Sequence, residues 1–96
     1  MIIRVDIDEC ICYYDEKRIY DQAIPIKENI EKINKLYNEG HTIIYWSSRG
    51  IITGLDWFDL TEKQLKKWNC KYHELKLDKP FYDIIICDKS KRIEEI

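Results

Sequence analysis

The sequence predicts a small open α/β fold with a parallel sheet of about four strands, and three observations carry that expectation. Short Ile-rich runs recur along the chain and close on polar residues: Ile2–Ile7 on Asp6 and Asp8, Thr42–Trp46 on Ser47-Ser48-Arg49-Gly50, and Asp83–Cys87 on Asp88-Lys89. Near-continuous apolar runs of this length are the habit of strands buried on both faces. Amphipathic helical stretches lie between the runs, and strands alternating with helices give βαβ units with right-handed crossovers. A chain of 96 residues has room for one domain, taken here as residues 1–96.

Each element has its own signals. After the first strand, Cys10 to Ile24 fits neither helical nor strand period over its length. Tyr13-Tyr14 and Ile19-Tyr20 flank the polar Asp15-Glu16-Lys17-Arg18, which predicts a β-hairpin flap with an exposed tip beside the end of that strand. Pro25 suits the first turn of a helix, and Ile26, Ile30, Ile33, Leu36 and Tyr37 form one apolar stripe. Glu28 with Lys32, and Glu31 with Lys35, sit four apart on its exposed face, and Gly40 provides the left-handed stop. Beyond the second strand, Thr61-Glu62-Lys63-Gln64 has the form of a capping box, with Trp57 or Phe58, Thr61, Leu65 and Trp68 at helical spacing. Tyr72–Leu75 reads as a short strand, and Asp83–Cys87 as the last one.

Composition narrows the function. The chain is 45% hydrophobic, 35% charged and 12% aromatic, a balance a disordered segment does not carry. A net charge of −2 gives no basic field to draw it to nucleic acid or an anionic membrane. No apolar run approaches the ~20 residues of a membrane span. The charged start Arg4-Val5-Asp6-Ile7-Asp8 does not suit a signal peptide, so a cytoplasmic protein with reduced thiols is expected. Cys10-Ile11-Cys12 lacks the spacer of a zinc knuckle and no second pair follows, which favours free thiols over structural zinc. Trp46, Trp57 and Trp68 read as core, His41 and His73 as surface or strand-end histidines, and Lys63, Lys66 and Lys67 as a solvated helix face.

In open parallel sheets ligands bind beyond the carboxyl ends of the strands. This chain places Asp6, Asp8, Ser47, Arg49 and Asp88 there, with Lys79 just before the last run. Three carboxylates brought together repel one another unless one is protonated or a cation joins them. Oxygen donors select a hard cation such as Mg²⁺, and a site of metal, hydroxyl and lysine is suited to a phosphoryl group.

Asp6-Ile7-Asp8 after the first strand, Ser47 after the second, Lys79 before the last and Asp88 after it resemble the haloacid dehalogenase superfamily. The likeness spans nearly the whole chain. Trp46-Ser47-Ser48-Arg49-Gly50 and the stretch from Gln64 to Asp88 are most similar to its small capless phosphatases, some of them tied to capsule or surface-sugar synthesis. The resemblance implies a Rossmann-like sheet and a Mg²⁺-dependent phosphatase. In it Asp6 is the nucleophile, forming an aspartyl-phosphate. Asp8 is the acid that protonates the leaving alkoxide and then the base that takes a proton from water. Ser47, Ser48, Arg49 and Lys79 contact the phosphate, while the Asp6 carboxylate, the Asp8 carbonyl and the Asp88 carboxylate hold Mg²⁺. Cys10 stands where relatives carry Thr or Val. Cys87 stands where many carry an acid, and a thiol accepts poorly from metal-bound water, so weakened Mg²⁺ affinity is expected.

Two other classes compete. A receiver-like phosphoacceptor also uses paired acids, a hydroxyl and a lysine, but on a middle strand and in another order. A degenerate member that binds without turnover is supported by Cys87. The intervals from Asp6 to Ser47 and from Ser47 to Lys79 are too short for a cap, so the site is expected to be open to a phosphorylated small molecule or a bulky phosphate ester. Successive right-handed crossovers put both helices on one sheet face, and Lys89–Ile96 is too short to cover the other, which predicts a homodimer.

Overall fold

A computed structural model describes all 96 residues. The first run forms β1 (Ile2–Val5). A flap hairpin follows, made of β2 (Cys12–Tyr13) and β3 (Ile24–Pro25) paired antiparallel, Cys12 opposite Pro25. Its tip is longer than the sequence suggests, because Ile19 and Tyr20 lead into a 3₁₀ turn at Tyr20–Gln22 instead of pairing. Pro25 therefore ends the flap, and helix α1 begins beyond it, at Lys27–Asn38. Gly40, at φ +97°, turns the chain out of the helix.

β4 (Thr42–Trp46) pairs parallel with β1, Ile3 opposite Ile43 and Val5 opposite Tyr45. Helix α2 (Phe58–Lys67) leads to β5 (Glu74–Lys76), which pairs parallel with β4. The sheet order is β1-β4-β5, with β4 central. Side chains of Val5, Ile43 and Tyr45 share one face and join Ile30 and Ile33 of α1 and Leu65 of α2 in one buried cluster. Both helices thus belong to the same core, as the crossover rule requires. On the opposite face Arg4 stacks over Trp46 at 4.7 Å, and Ile2 is 73% exposed.

Two expectations are corrected. Thr61 does not cap α2. It lies inside the helix, its N–H donating to the Trp57 carbonyl, while the Asp56 carboxylate accepts from the Phe58 N–H at the helix start. The run Asp83–Cys87 forms no strand, so the parallel sheet has three strands instead of about four. The connection after β5 stays at the carboxyl end of the sheet, where the Lys79 N–H donates to the Ser47 carbonyl at 3.2 Å. A parallel fourth strand would have to start at the other end. Every residue from Phe81 to Arg92 is exposed, and the chain rejoins the body at Ile93, whose carbonyl accepts from Lys32 Nζ. No helix is long and apolar enough to cross a membrane.

Candidate active site

The carboxyl ends of β1 and β4 open into a cavity of about 500 Å³. Asp6, Asp8, Ser47, Ser48 and Lys79 line it, together with Arg18 and Tyr20 of the flap, Trp57 before α2, and Phe81 and Tyr82. The parallel strands deliver these groups because the register sets the ends of β1 and β4 side by side.

Asp6 presents an exposed carboxylate whose Oδ1 accepts from the Ile7 N–H at 2.9 Å, and whose Oδ2 lies 3.2 Å from Lys79 Nζ. Burial works against the Lys79 charge, but Tyr82 and Asp6 more than offset it and hold the ammonium above its ordinary pKa. Lys79 is thus fixed as a cation beside the carboxylate. Ser47 is buried at the cavity wall, with its Oγ accepting from the Arg49 N–H at 3.1 Å. Gly50, at φ +86°, closes the loop tightly: a Cβ there would lie 2.1 Å from the Leu55 carbonyl oxygen.

Asp8 is held differently. Right after it the chain turns at Glu9, φ 63°, and the N–H groups of Cys10 and Ile11 donate back to the Ile7 carbonyl. Arg49 donates to both Asp8 oxygens, Nη2 to Oδ1 at 2.8 Å and Nε to Oδ2 at 3.1 Å, and the Tyr14 hydroxyl donates to Oδ1. Burial raises the Asp8 pKa, yet Arg49, Tyr14 and Cys12 together carry it below the usual carboxylate value. Burial and, after it, the same carboxylate push the Cys12 thiol up to about 12.

Arg49 does not contact the cavity, contrary to the phosphate-binding role expected of it. It is 2% exposed, and its remaining N–H groups go to Thr61 Oγ1 at 3.0 Å, Gln64 Oε1 at 2.7 Å and the Tyr14 hydroxyl at 3.2 Å. A guanidinium with every donor engaged inside the protein braces Asp8, while Ser47, Ser48 and Lys79 line the cavity. Tyr14, Thr61 and Gln64, which complete this brace, carry no sequence signal of it: each is an ordinary flap or helix residue until the fold brings it to Arg49. Trp57, expected in the core, lines the cavity edge-on to Tyr20 with ring centroids 5.2 Å apart.

Asp88 is not brought to the site. It sits in an exposed turn, where its Oδ1 accepts from Cys87 Sγ at 3.8 Å. Of the Mg²⁺ donors implied by the resemblance, one chain assembles only the Asp6 carboxylate and the Asp8 carbonyl at the cavity. No three acidic, histidine or cysteine side chains come together to hold an ion. The ligand set that the resemblance implies, with Asp88 as its third member, is not assembled in this chain.

No family model matches the sequence, and no curated protein matches it. Among solved structures, a target protein from Vibrio cholerae is similar, with a TM-score of 0.87 and 20% identity over 98% of this chain and 85% of that one. At that identity the likeness establishes the shared fold.

Proposed function

We propose that the chain is a phosphatase that hydrolyses a phosphate monoester through an aspartyl-phosphate on Asp6. The observation that carries this reading is an accessible carboxylate 3.2 Å from a lysine ammonium, at the mouth of a cavity that Ser47 also lines. A phosphate dianion approaches a carboxylate only where positive charge offsets their repulsion, and Lys79 is placed to do so. The Asp6 Oδ atom forms the bond to phosphorus as the ester oxygen leaves with the bonding pair. Water then attacks phosphorus, restoring the carboxylate and releasing inorganic phosphate. Ser47 is placed to donate to a phosphoryl oxygen, and Ser48 lies on the same loop.

Asp8 bears on both steps unequally. Held as a carboxylate by Arg49, it is prepared to take the proton of the attacking water and poorly prepared to protonate a leaving alkoxide. Esters of acidic alcohols and phenols, whose oxygens leave without a proton, are therefore the favoured substrates of this arrangement. The open cavity with Tyr20, Trp57 and Phe81 on its walls suits a substrate with an extended apolar or ring-bearing portion.

The test is hydrolysis of an aryl phosphate with Mg²⁺, with and without chelator, by the wild type and Asp6→Asn. Turnover in the wild type and none in the variant supports the reading. A folded wild type that stays silent across a panel of phosphate esters favours a second reading, a binding protein. That alternative draws on the distance of Asp88 from the cavity.

A further inference from the structure

Two cations line the cavity, Lys79 and Arg18, and they are not equivalent. Lys79 Nζ lies 3.2 Å from Asp6 and is committed to the phosphoryl end. Arg18 belongs to the flap between β2 and β3, and its ion pair is with Glu9 at 3.6 Å, both side chains being more than half exposed. Pairs of that kind contribute little, because water competes for both charges. Glu9 does not line the cavity, and Asp8, which does, already has Arg49 against it at 2.8 Å. Arg18 is therefore a cation of the cavity wall that no carboxylate of the cavity neutralises.

Its neighbours put Arg18 on the side of the leaving group. In-line displacement sets the entering and leaving oxygens opposite each other at phosphorus. The ester oxygen therefore leaves opposite Asp6, and the water that later releases the phosphate enters from that same side, where Asp8 takes its proton. Tyr14 links Arg18 to Asp8: its hydroxyl donates to Asp8 Oδ1, and the Arg18 guanidinium lies 5.9 Å from the centre of its ring. Tyr20 and Trp57 belong to the same side. Arg49, which grips Asp8, stacks over the Tyr20 ring at 4.7 Å, and Tyr20 meets Trp57 edge-on. A leaving group thus meets two aromatic rings and an unneutralised guanidinium.

We propose that Arg18 selects substrates by a second anionic group, so that the preferred phosphate monoesters are those of ring-bearing alcohols or phenols with a further negative charge beyond the ring. The proposal rests on the reading of Asp6 as the nucleophile and deepens it. The ring of the leaving group lies against Tyr20 and Trp57, which supply apolar area with little loss of freedom. Arg18 exchanges Glu9 for the anion beyond the ring, and its planar fork suits two parallel hydrogen bonds to a carboxylate or a phosphate. The net charge of −2 on the chain gives no general attraction for such a substrate, so its second charge has to be met locally.

The test compares kcat/KM, with Mg²⁺ present, for aryl phosphates that differ only at the para position: a carboxylate, a phosphonate or a neutral carboxamide. The wild type is expected to favour at least one of the anions over the carboxamide by about fivefold or more, and the larger preference names the group. In Arg18→Gln that preference should fall to near unity, and in Arg18→Lys part of it should return, since the charge is kept and the fork is lost. Circular dichroism checks that both variants fold. No preference in the wild type, or one that survives Arg18→Gln, overturns the inference. An equal loss on all three esters overturns it too, because it would place Arg18 on the reacting phosphoryl group. Binding separates the proposal from the catalytic reading. Benzylphosphonates with the same para groups cannot be hydrolysed, and their titration is followed by tryptophan fluorescence, to which Trp57 at the cavity contributes. An anion preference in binding that depends on Arg18, with no ester turned over, would sink the phosphatase reading alone. Turnover that Asp6→Asn abolishes, with no preference that depends on Arg18, would sink the second anion site alone.

Discussion

Arg49 holds a full charge at 2% exposure, and it does so because Asp8, Tyr14, Thr61 and Gln64 take all its donors. Breaking a buried pair from one side leaves an uncompensated charge, so Arg49→Met should destabilise the fold by about 3–5 kcal/mol in chemical denaturation. The same pair makes stability depend on pH with a definite sign. The folded Asp8 pKa lies below its ordinary 3.8, so the stabilisation is fully present above that value and is lost as pH falls through the lowered one. Asp8→Asn should therefore be less stable than wild type at neutral pH, and the gap should close in acid. A gap that stays constant from neutral pH into acid would remove the linkage. Asp6, Asp8 and Ser47 were legible as cavity-lining positions because a polar residue closing an apolar run announces itself locally, whereas Lys79 was singled out only by its place before the last run and by the resemblance. The role of Arg49 was not, since its partners lie just after β1, on the flap and on α2, 12 to 41 residues away in the chain.

Elements were legible where their period was long and closed by a specific residue. The stripe from Ile30 to Tyr37 ends at Gly40 and forms α1, and the Thr42–Trp46 run forms β4 as expected. Thr61 shows the limit of a local motif. Its four-residue pattern matches a cap, but the Asp56 carboxylate already serves the start of α2, and burial commits the Thr61 hydroxyl to Arg49. Thr61→Val keeps the shape and removes that acceptor, for an expected loss of about 1 kcal/mol, whereas Thr61→Ser keeps the oxygen and should lose less. Denaturant midpoints of the two variants separate the hydroxyl from the methyl. The loop between β4 and α2 depends on Gly50 in another way. At φ +86°, and with the Leu55 carbonyl 2.1 Å from where a Cβ would sit, Gly50→Ala has no relaxed conformation to adopt. It should destabilise by about 2 kcal/mol or more and disturb the Ser47-Ser48 wall of the cavity. Wild-type stability in this variant would mean the loop shifts freely.

At the scale of the whole molecule, the Asp83–Cys87 run is where the sequence and the single chain part. Its composition is that of a buried strand, and composition reports what a segment needs without saying which copy provides it. The connection from β5 stays at the carboxyl end of the sheet, held there by Lys79 on Ser47, and in one chain the isoleucines face water. A homodimer, expected from the uncovered sheet face, would bury them and would tie folding to concentration. Anything that binds the native state but not the unfolded chain raises stability by mass action, and here the ligand is another folded copy. The thermal midpoint of the wild type should therefore rise with protein concentration. Ile84→Asp/Ile86→Asp should melt lower and at one temperature throughout, because the substituted positions contribute little to the fold of a single chain. Melting curves over a hundredfold range of concentration distinguish the cases: a flat wild-type midpoint would mean that the native state stays unassociated and that these isoleucines remain in water.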